Sequence, residues 1–82
     1  MLMLKPNCFI ILFDSTHQAM SAEAALKEAG IRHAVVNAPR EFSVNCGISL
    51  RVAMEDRDAA VASLDERGVT YARVEPYRSR WV

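Results

Sequence analysis

The chain has 82 residues, with ten Lys and Arg against ten Asp and Glu. This length predicts one domain over residues 1–82, with a core at about 8–76 and a C-terminal tail at 77–82. A formal net charge of zero argues against nucleic-acid binding by phosphate neutralisation, which requires a basic surface. Two cysteines are too few for a disulfide framework, so we expect reduced thiols and a cytoplasmic location.

The apolar start of the chain does not predict a membrane segment. Lys5, Pro6 and Asn7 interrupt it, and the apolar run that follows covers only residues 8–13. A secretory signal needs roughly 7–15 apolar residues, and a spanning helix needs about 20. We therefore expect no membrane partner.

The hydrophobic pattern predicts six elements in the order βαββαβ. The continuous apolar run at 8–13 is typical of a central strand buried on both faces. Alternating apolar residues from Ile48 to Met54 indicate a strand with one buried face. In chain order, the predicted elements are a strand at 8–13, a helix at 15–29, a strand at 31–37, a strand at 48–54, a helix beginning near 55–56 and ending at 67–68, and a strand at 69–75 that Pro76 ends.

The ends of both helices carry recognisable signals. Ser15 and Gln18 have the spacing of a capping box, which predicts the start of the first helix. Gly30 and Gly68 stand where a glycine commonly follows a helix. Because each glycine precedes a predicted strand, the two halves of the chain form a weak internal repeat.

This element order predicts an α+β fold. The simplest arrangement is a ferredoxin-like βαββαβ two-layer sandwich, a four-stranded antiparallel sheet with both helices on one face. Its first two strands are parallel, so the turn at 14–17 and the loop at 38–47 both leave the sheet at the same end of the strands. We therefore expect Cys46 and Arg40 near the start of the first helix. Cys8, at the far end of its strand, is predicted to be a core residue that cannot bridge to Cys46.

Cys46 is the strongest candidate for chemistry. Gly47 directly behind it is expected to leave the sulfur unshielded. A thiolate is the reactive form of cysteine, and it is favoured near a helix N-terminus or a cation. The candidate site combines the thiol with groups that could stabilise its anion: Cys46, Gly47, Arg40, Ser15, Thr16 and His17.

Each of these residues also has an ordinary structural interpretation. Cys46 could be a small buried apolar residue, because free cysteine is among the most buried residue types. Arg40 could be a solvated loop residue, and His17 a surface histidine. Ser15 and Thr16 could do no more than cap the helix. The cysteines and histidines lack the paired spacing of metal ligands, so neither a metal nor a cofactor is predicted.

Several segments together resemble a family of small bacterial domains described as selenium/sulfur carrier-like. They are Asp14-Ser15-Thr16 after the first strand, the segment from Lys27 to Ile31, Pro39-Arg40-Glu41, and Cys46-Gly47-Ile48-Ser49-Leu50. The similarity runs from about Phe9 to Tyr77 and is most specific where Pro-Arg is followed by Cys-Gly. The resemblance implies that Cys46 is the carrier thiol, that Arg40 accompanies it, and that the partners are a desulfurase-like donor protein and an acceptor protein.

Two functions follow as hypotheses. In the first, Cys46 holds sulfur or selenium as a persulfide or selenosulfide and passes it between proteins. In the alternative, the chain is a non-catalytic ligand-binding or oligomerisation module, such as a homodimer, that uses the open face of the sheet around Ser49 and Arg51. A stand-alone thiol enzyme is disfavoured because only His17 could serve as a general base at that edge.

Overall fold

A computed structural model describes residues 5–42 and 46–79 of the chain. All six predicted elements are present in this part, and one short 3-10 turn is added before the second helix. The elements are β1 (Cys8–Leu12), α1 (Thr16–Glu28), β2 (Ala34–Asn37), β3 (Ile48–Ala53), the 3-10 turn (Met54–Asp56), α2 (Arg57–Glu66) and β4 (Arg73–Tyr77). Within the described ranges, neither helix is long and apolar enough to cross a bilayer.

The four strands form one sheet in the order β2-β3-β1-β4. Each neighbouring pair is antiparallel, and β1 is a central strand, as its continuous apolar run predicts. Because β1 and β2 are both antiparallel to β3, they run parallel to each other on either side of it. The predicted α+β class, with two helices and a four-stranded antiparallel sheet, is confirmed.

The sheet has two faces that the register defines, since cross-strand partners point to the same side. The first face carries Ile11 and its partner Leu50, together with Val52. These residues share one buried cluster with side chains of both helices, namely Ala19, Ala22, Ala25, Leu26, Ala60 and Leu64. The second face carries the alternate residues, including Ile10 and its partners Arg51 and Glu75.

Both helices end in the same glycine cap. Gly30 has φ +72° and Gly68 has φ +69°, values that glycine adopts at little cost. The residue after each glycine donates its N–H back into the helix, Ile31 to Leu26 O at 3.0 Å and Val69 to Leu64 O at 2.9 Å. This is the Schellman pattern, so the internal repeat is a repeat of helix-end geometry.

Two strands begin later than predicted, β2 at Ala34 and β4 at Arg73. The caps contribute to this delay, because the first residue after each glycine donates its N–H to the preceding helix instead of to a neighbouring strand. The prediction that Pro76 ends the last strand is wrong. Pro76 lies inside β4 opposite Phe9, and a proline without an N–H is tolerated there because β4 is an edge strand.

Candidate functional site

Cys46 lies immediately before β3, on the first face of the sheet. Its side chain belongs to the core cluster and is only 4% exposed. The Gly47 carbonyl accepts the Ala38 N–H at 2.9 Å, which extends the pairing of β2 and β3 beyond Ile48. Strand alternation then turns Cys46 to the same side as Ile48 and Leu50. The expectation of an unshielded thiol is therefore wrong.

The sulfur of Cys46 has three polar neighbours. Its Sγ donates to the Ile48 carbonyl at 3.2 Å and accepts the Ile48 N–H at 3.4 Å. The Thr16 hydroxyl lies 4.0 Å from Sγ, and Thr16 is the first residue of α1. The structure thus places the thiol beside the first turn of that helix, as the topology predicts. This is the end of a helix dipole that favours negative charge.

The neighbouring candidates have separate tasks. Ser15 is the N-cap of α1, and its hydroxyl accepts the Gln18 N–H at 3.2 Å. The Gln18 side chain in turn accepts the Asp14 N–H at 2.9 Å, so the predicted cap is present. His17 is exposed and lines a cavity of about 300 Å³ against the end of α2, with Arg67 among its neighbours. The structure does not bring His17 to Cys46.

Arg40 also lies away from the thiol. It lines a cavity together with Ile10, Arg51 and Tyr77. Those three residues lie on the second face of the sheet. Cys46 packs on the first face. The structure therefore places Arg40 and Cys46 on opposite faces of the sheet. Their closeness in the sequence does not indicate this separation.

Gly47 does not need to be glycine for its backbone. In the described residues only Gly30 and Gly68 have positive φ, and a Cβ added at Gly47 would meet nothing within 4 Å. A side chain could therefore be accommodated at this position. The backbone freedom expected of Gly47 is not used in this conformation.

Cys8 is the buried thiol of the second face. It is fully buried, and its Sγ donates to the Tyr77 carbonyl at 3.4 Å. Burial raises the pKa of the Cys8 thiol above its ordinary value of 9.0, although the Arg51 charge and a hydrogen bond with the Ser79 backbone act in the opposite direction. Both cysteines are free. The prediction of an unbridged core residue is confirmed.

His33 and Glu23 form a contact that the sequence pattern does not reveal. His33 Nε2 lies 2.5 Å from Glu23 Oε2, and Nδ1 lies 2.8 Å from the Ile31 carbonyl. Both partners are acceptors, so an imidazolium with two N–H groups satisfies them together. Burial lowers the pKa of His33, but the bonds to Glu23 and Ile31 outweigh it and raise the pKa above 6.5. The bond from His33 lowers the Glu23 pKa below 4.5.

A metal centre is not apparent in the described part of the chain. Within residues 5–42 and 46–79, no three His, Cys, Asp or Glu side chains come close enough to hold an ion. The polar contacts of both cysteines are made to neighbouring protein groups.

Comparison with known proteins gives one match. No curated protein and no solved structure is similar enough to the chain to count as a match. The family described as "Putative Se/S carrier protein-like" matches residues 7–75, which include Cys46, Arg40 and every strand except the last residues of β4. The chain therefore belongs to the Se/S carrier protein-like family.

Proposed function

We propose that the chain carries sulfur or selenium covalently on Cys46 and passes it from a donor protein to an acceptor protein. Membership of the Se/S carrier protein-like family supports the class of function. The single observation that supports the residue is the position of the Cys46 sulfur beside the first turn of α1, 4.0 Å from the Thr16 hydroxyl. Cys8 has no such position, because it packs on the other face against Tyr77.

The contacts of Cys46 suit a sulfur that changes its charge during transfer. The thiolate is the nucleophile in exchange at sulfur. When the proton leaves, the Ile48 N–H and the Thr16 hydroxyl can still donate to the anion, while the bond to the Ile48 carbonyl is lost. Ser15 and Thr16 contribute through the helix end they form, because the unpaired N–H groups there favour an anion.

The burial of Cys46 sets a condition on the transfer. At 4% exposure, the Cys46 sulfur cannot meet a partner's sulfur without local opening. The sulfur makes polar contacts to Thr16 and Ile48. Local opening costs less than global unfolding. Between transfers, the closed state shelters the sulfur from oxidation, which requires exposure.

The transfer needs no oxidant, reductant, metal or bound cofactor. The Cys46 thiolate attacks the outer sulfur of a persulfide on the desulfurase-like donor, and the donor's thiolate leaves as the new S–S bond forms. An acceptor thiolate then attacks the outer sulfur now held by Cys46, and the Cys46 thiolate leaves. Each step exchanges one S–S bond for another, and protons balance the thiolates. Selenium in place of the outer sulfur follows the same sequence.

The test is to incubate the protein with a cysteine desulfurase and cysteine and to locate the added sulfur by peptide mass spectrometry. We expect one sulfur atom on the peptide that contains Cys46. Cys8→Ser is the matched control and is expected to load normally, whereas Cys46→Ser should not load. Absence of loading on the unaltered protein, or equal loading of Cys46→Ser, would contradict the proposal.

The scaffold that we infer for this function is the ferredoxin-like sandwich with both helices on one face. The strand order β2-β3-β1-β4 supports it, as does the core cluster that α1 and α2 share with Ile11 and Leu50. In this arrangement one edge of the sheet presents both the start of α1 and the start of β3. The site at Cys46 is built where those two elements meet.

The alternative function, a ligand-binding or homodimeric module, is also supported by a specific observation. The second face of the sheet keeps a cavity of about 860 Å³ beside Arg51. A module of this kind would bind there whether or not Cys46 is intact. Loading of Cys46 and binding at the second face are therefore separate measurements.

A further inference from the structure

The cavity on the second face of the sheet is large enough for a small organic molecule. Its volume of about 860 Å³ falls in the range of about 300–1,000 Å³ found for ligand sites. Its lining combines apolar residues of the sheet with polar residues from the segments that flank it. The residues are Ile10, Val36, Asn37, Ala38, Pro39, Arg40, Arg51, Tyr77, Arg78 and Ser79.

Three arginines line this cavity, Arg40, Arg51 and Arg78, and no acidic residue does. All ten Asp and Glu side chains of the chain fall within residues 5–42 and 46–79. Within those ranges none of the three guanidinium groups forms an ion pair with a side chain. The other described arginines each do, in the pairs Arg32–Asp56, Arg57–Asp58, Arg67–Glu28 and Arg73–Glu75.

Two of the three guanidinium groups are held in place by neutral partners. Arg51 Nη1 donates to the Ser79 hydroxyl at 3.4 Å, and Arg78 Nη1 donates to the Lys5 carbonyl at 3.3 Å. Neither partner carries a charge, so each guanidinium keeps its positive charge and its remaining N–H groups. Arg40 is exposed at the rim of the cavity. Three cations converge on one cavity without a described counter-ion.

We propose that this cavity binds a small organic anion, a phosphate or related oxyanion attached to a flat apolar group. The planar fork of arginine matches the oxygen atoms of a phosphate. Val36, Pro39 and the ring of Tyr77 provide the apolar contacts. The site lies on the opposite face of the sheet from Cys46, so it does not depend on the carrier chemistry. It assigns to Arg40 a task other than stabilising the thiolate.

The test titrates the ¹⁵N-labelled protein with three probes and follows backbone amide shifts. The probes are 1-naphthyl phosphate, 1-naphthol and inorganic phosphate, which present both groups, the apolar group alone and the anion alone. We expect 1-naphthyl phosphate to bind at least about tenfold more tightly than either fragment, since one charge-assisted hydrogen bond is enough to supply the roughly 1.4 kcal/mol that a tenfold change requires. The shifts should map to the amides of residues 36–38, 40, 51 and 77–79.

Variants that each remove one arginine charge test which guanidinium groups bind the anion. Arg40→Gln and Arg51→Gln are each expected to weaken binding of 1-naphthyl phosphate about tenfold. Arg67→Gln removes the same charge from a residue that lines a different cavity and should leave binding unchanged. Because Arg40 is exposed, Arg40→Gln should keep the native amide spectrum and give a clear result. Equal affinity for 1-naphthyl phosphate and 1-naphthol, shifts that map elsewhere, or equal losses in Arg40→Gln and Arg67→Gln would overturn the proposal.

Discussion

The two faces of the sheet are buried to the same degree at their centres but by different means. Leu50 on the first face is fully buried, and Ile10 on the second is 1% exposed. Leu50 shares one core cluster with alanine and leucine side chains of α1 and α2. The second face is covered by single side chains instead. Phe42 packs edge-on against Tyr77 at 5.9 Å, and the Arg73 guanidinium lies 5.8 Å from the Phe42 ring.

This difference in covering separates the two sites that we propose. On the first face, Cys46 belongs to the packed core cluster and is 4% exposed. On the second face, the cover is incomplete and leaves a cavity with three arginines. The two faces therefore differ in the kind of layer that covers them.

The largest expected effect on stability is at Leu50, whose side chain points to the first face while that of its neighbour Arg51 points to the second. Leu50→Ala should lower the free energy of unfolding by about 3 kcal/mol, because it leaves a cavity in the packed first face. Arg51→Ala should lower it by about 1 kcal/mol or less, since its face is loosely covered. Urea unfolding measures both. Equal losses at the two positions would show that the faces do not differ in packing.

The helix caps offer a smaller test of how the first face is assembled. Gly30→Ala and Gly68→Ala should each cost roughly 1 kcal/mol, because alanine is strained at a φ near +70°. Gly47→Ala is the matched control and should change stability by less than about 0.5 kcal/mol, since the position has room for a Cβ. Thermal or urea unfolding of the three variants gives the comparison. A loss at Gly47 as large as at Gly30 would contradict the cap assignment.

The smallest effect concerns the His33–Glu23 pair, which ties α1 to the start of β2. Because the folded pKa of His33 is raised above 6.5, its contribution to stability is full below that pH and is lost as pH rises through the folded pKa. The lowered pKa of Glu23 means that its contribution is present above pH 4.5 and is lost as pH falls. Lys27 opposes the protonated His33 but supports the ionised Glu23.

The stabilisation by this pair should therefore be greatest between pH 4.5 and 6.5. Urea unfolding of the unaltered protein and of Glu23→Gln, compared across pH, measures it. The difference in stability between the two should shrink as pH rises well above 6.5. A constant difference for Glu23→Gln across pH would exclude the charged pair.

Local signals in the sequence predicted most of the fold. The apolar run at 8–13 identified a central strand, and Gly30 and Gly68 identified both helix ends. The starts of β2 and β4 were predicted too early because the pattern does not show that Ile31 and Val69 close the preceding caps. Pro76 was read as a breaker because its edge position depends on strand order. These differences arise from the pairing of strands and from helix caps, which a short stretch of sequence does not reveal.

The site was predicted in part. The position of Cys46 near the start of α1 could be predicted, because the first two strands were expected to be parallel. Its burial did not follow, since it depends on the extra pair of Ala38 and Gly47 that continues strand alternation past Ile48. The separation of Arg40 from Cys46 depends on the path of one connection. The residues 43–45 of that connection and the tail residues 80–82 lie outside the described part of the chain.

The most direct test of the carrier function is a single-turnover transfer from the protein itself. Protein loaded by a desulfurase is freed of the donor and then mixed with an acceptor thiol, and intact mass is followed over time. A carrier on Cys46 predicts that one sulfur atom leaves the protein and appears on the acceptor, in the unaltered chain and in Cys8→Ser alike. Sulfur that stays on the protein, or a Cys46→Ser variant that loads and unloads normally, would contradict it.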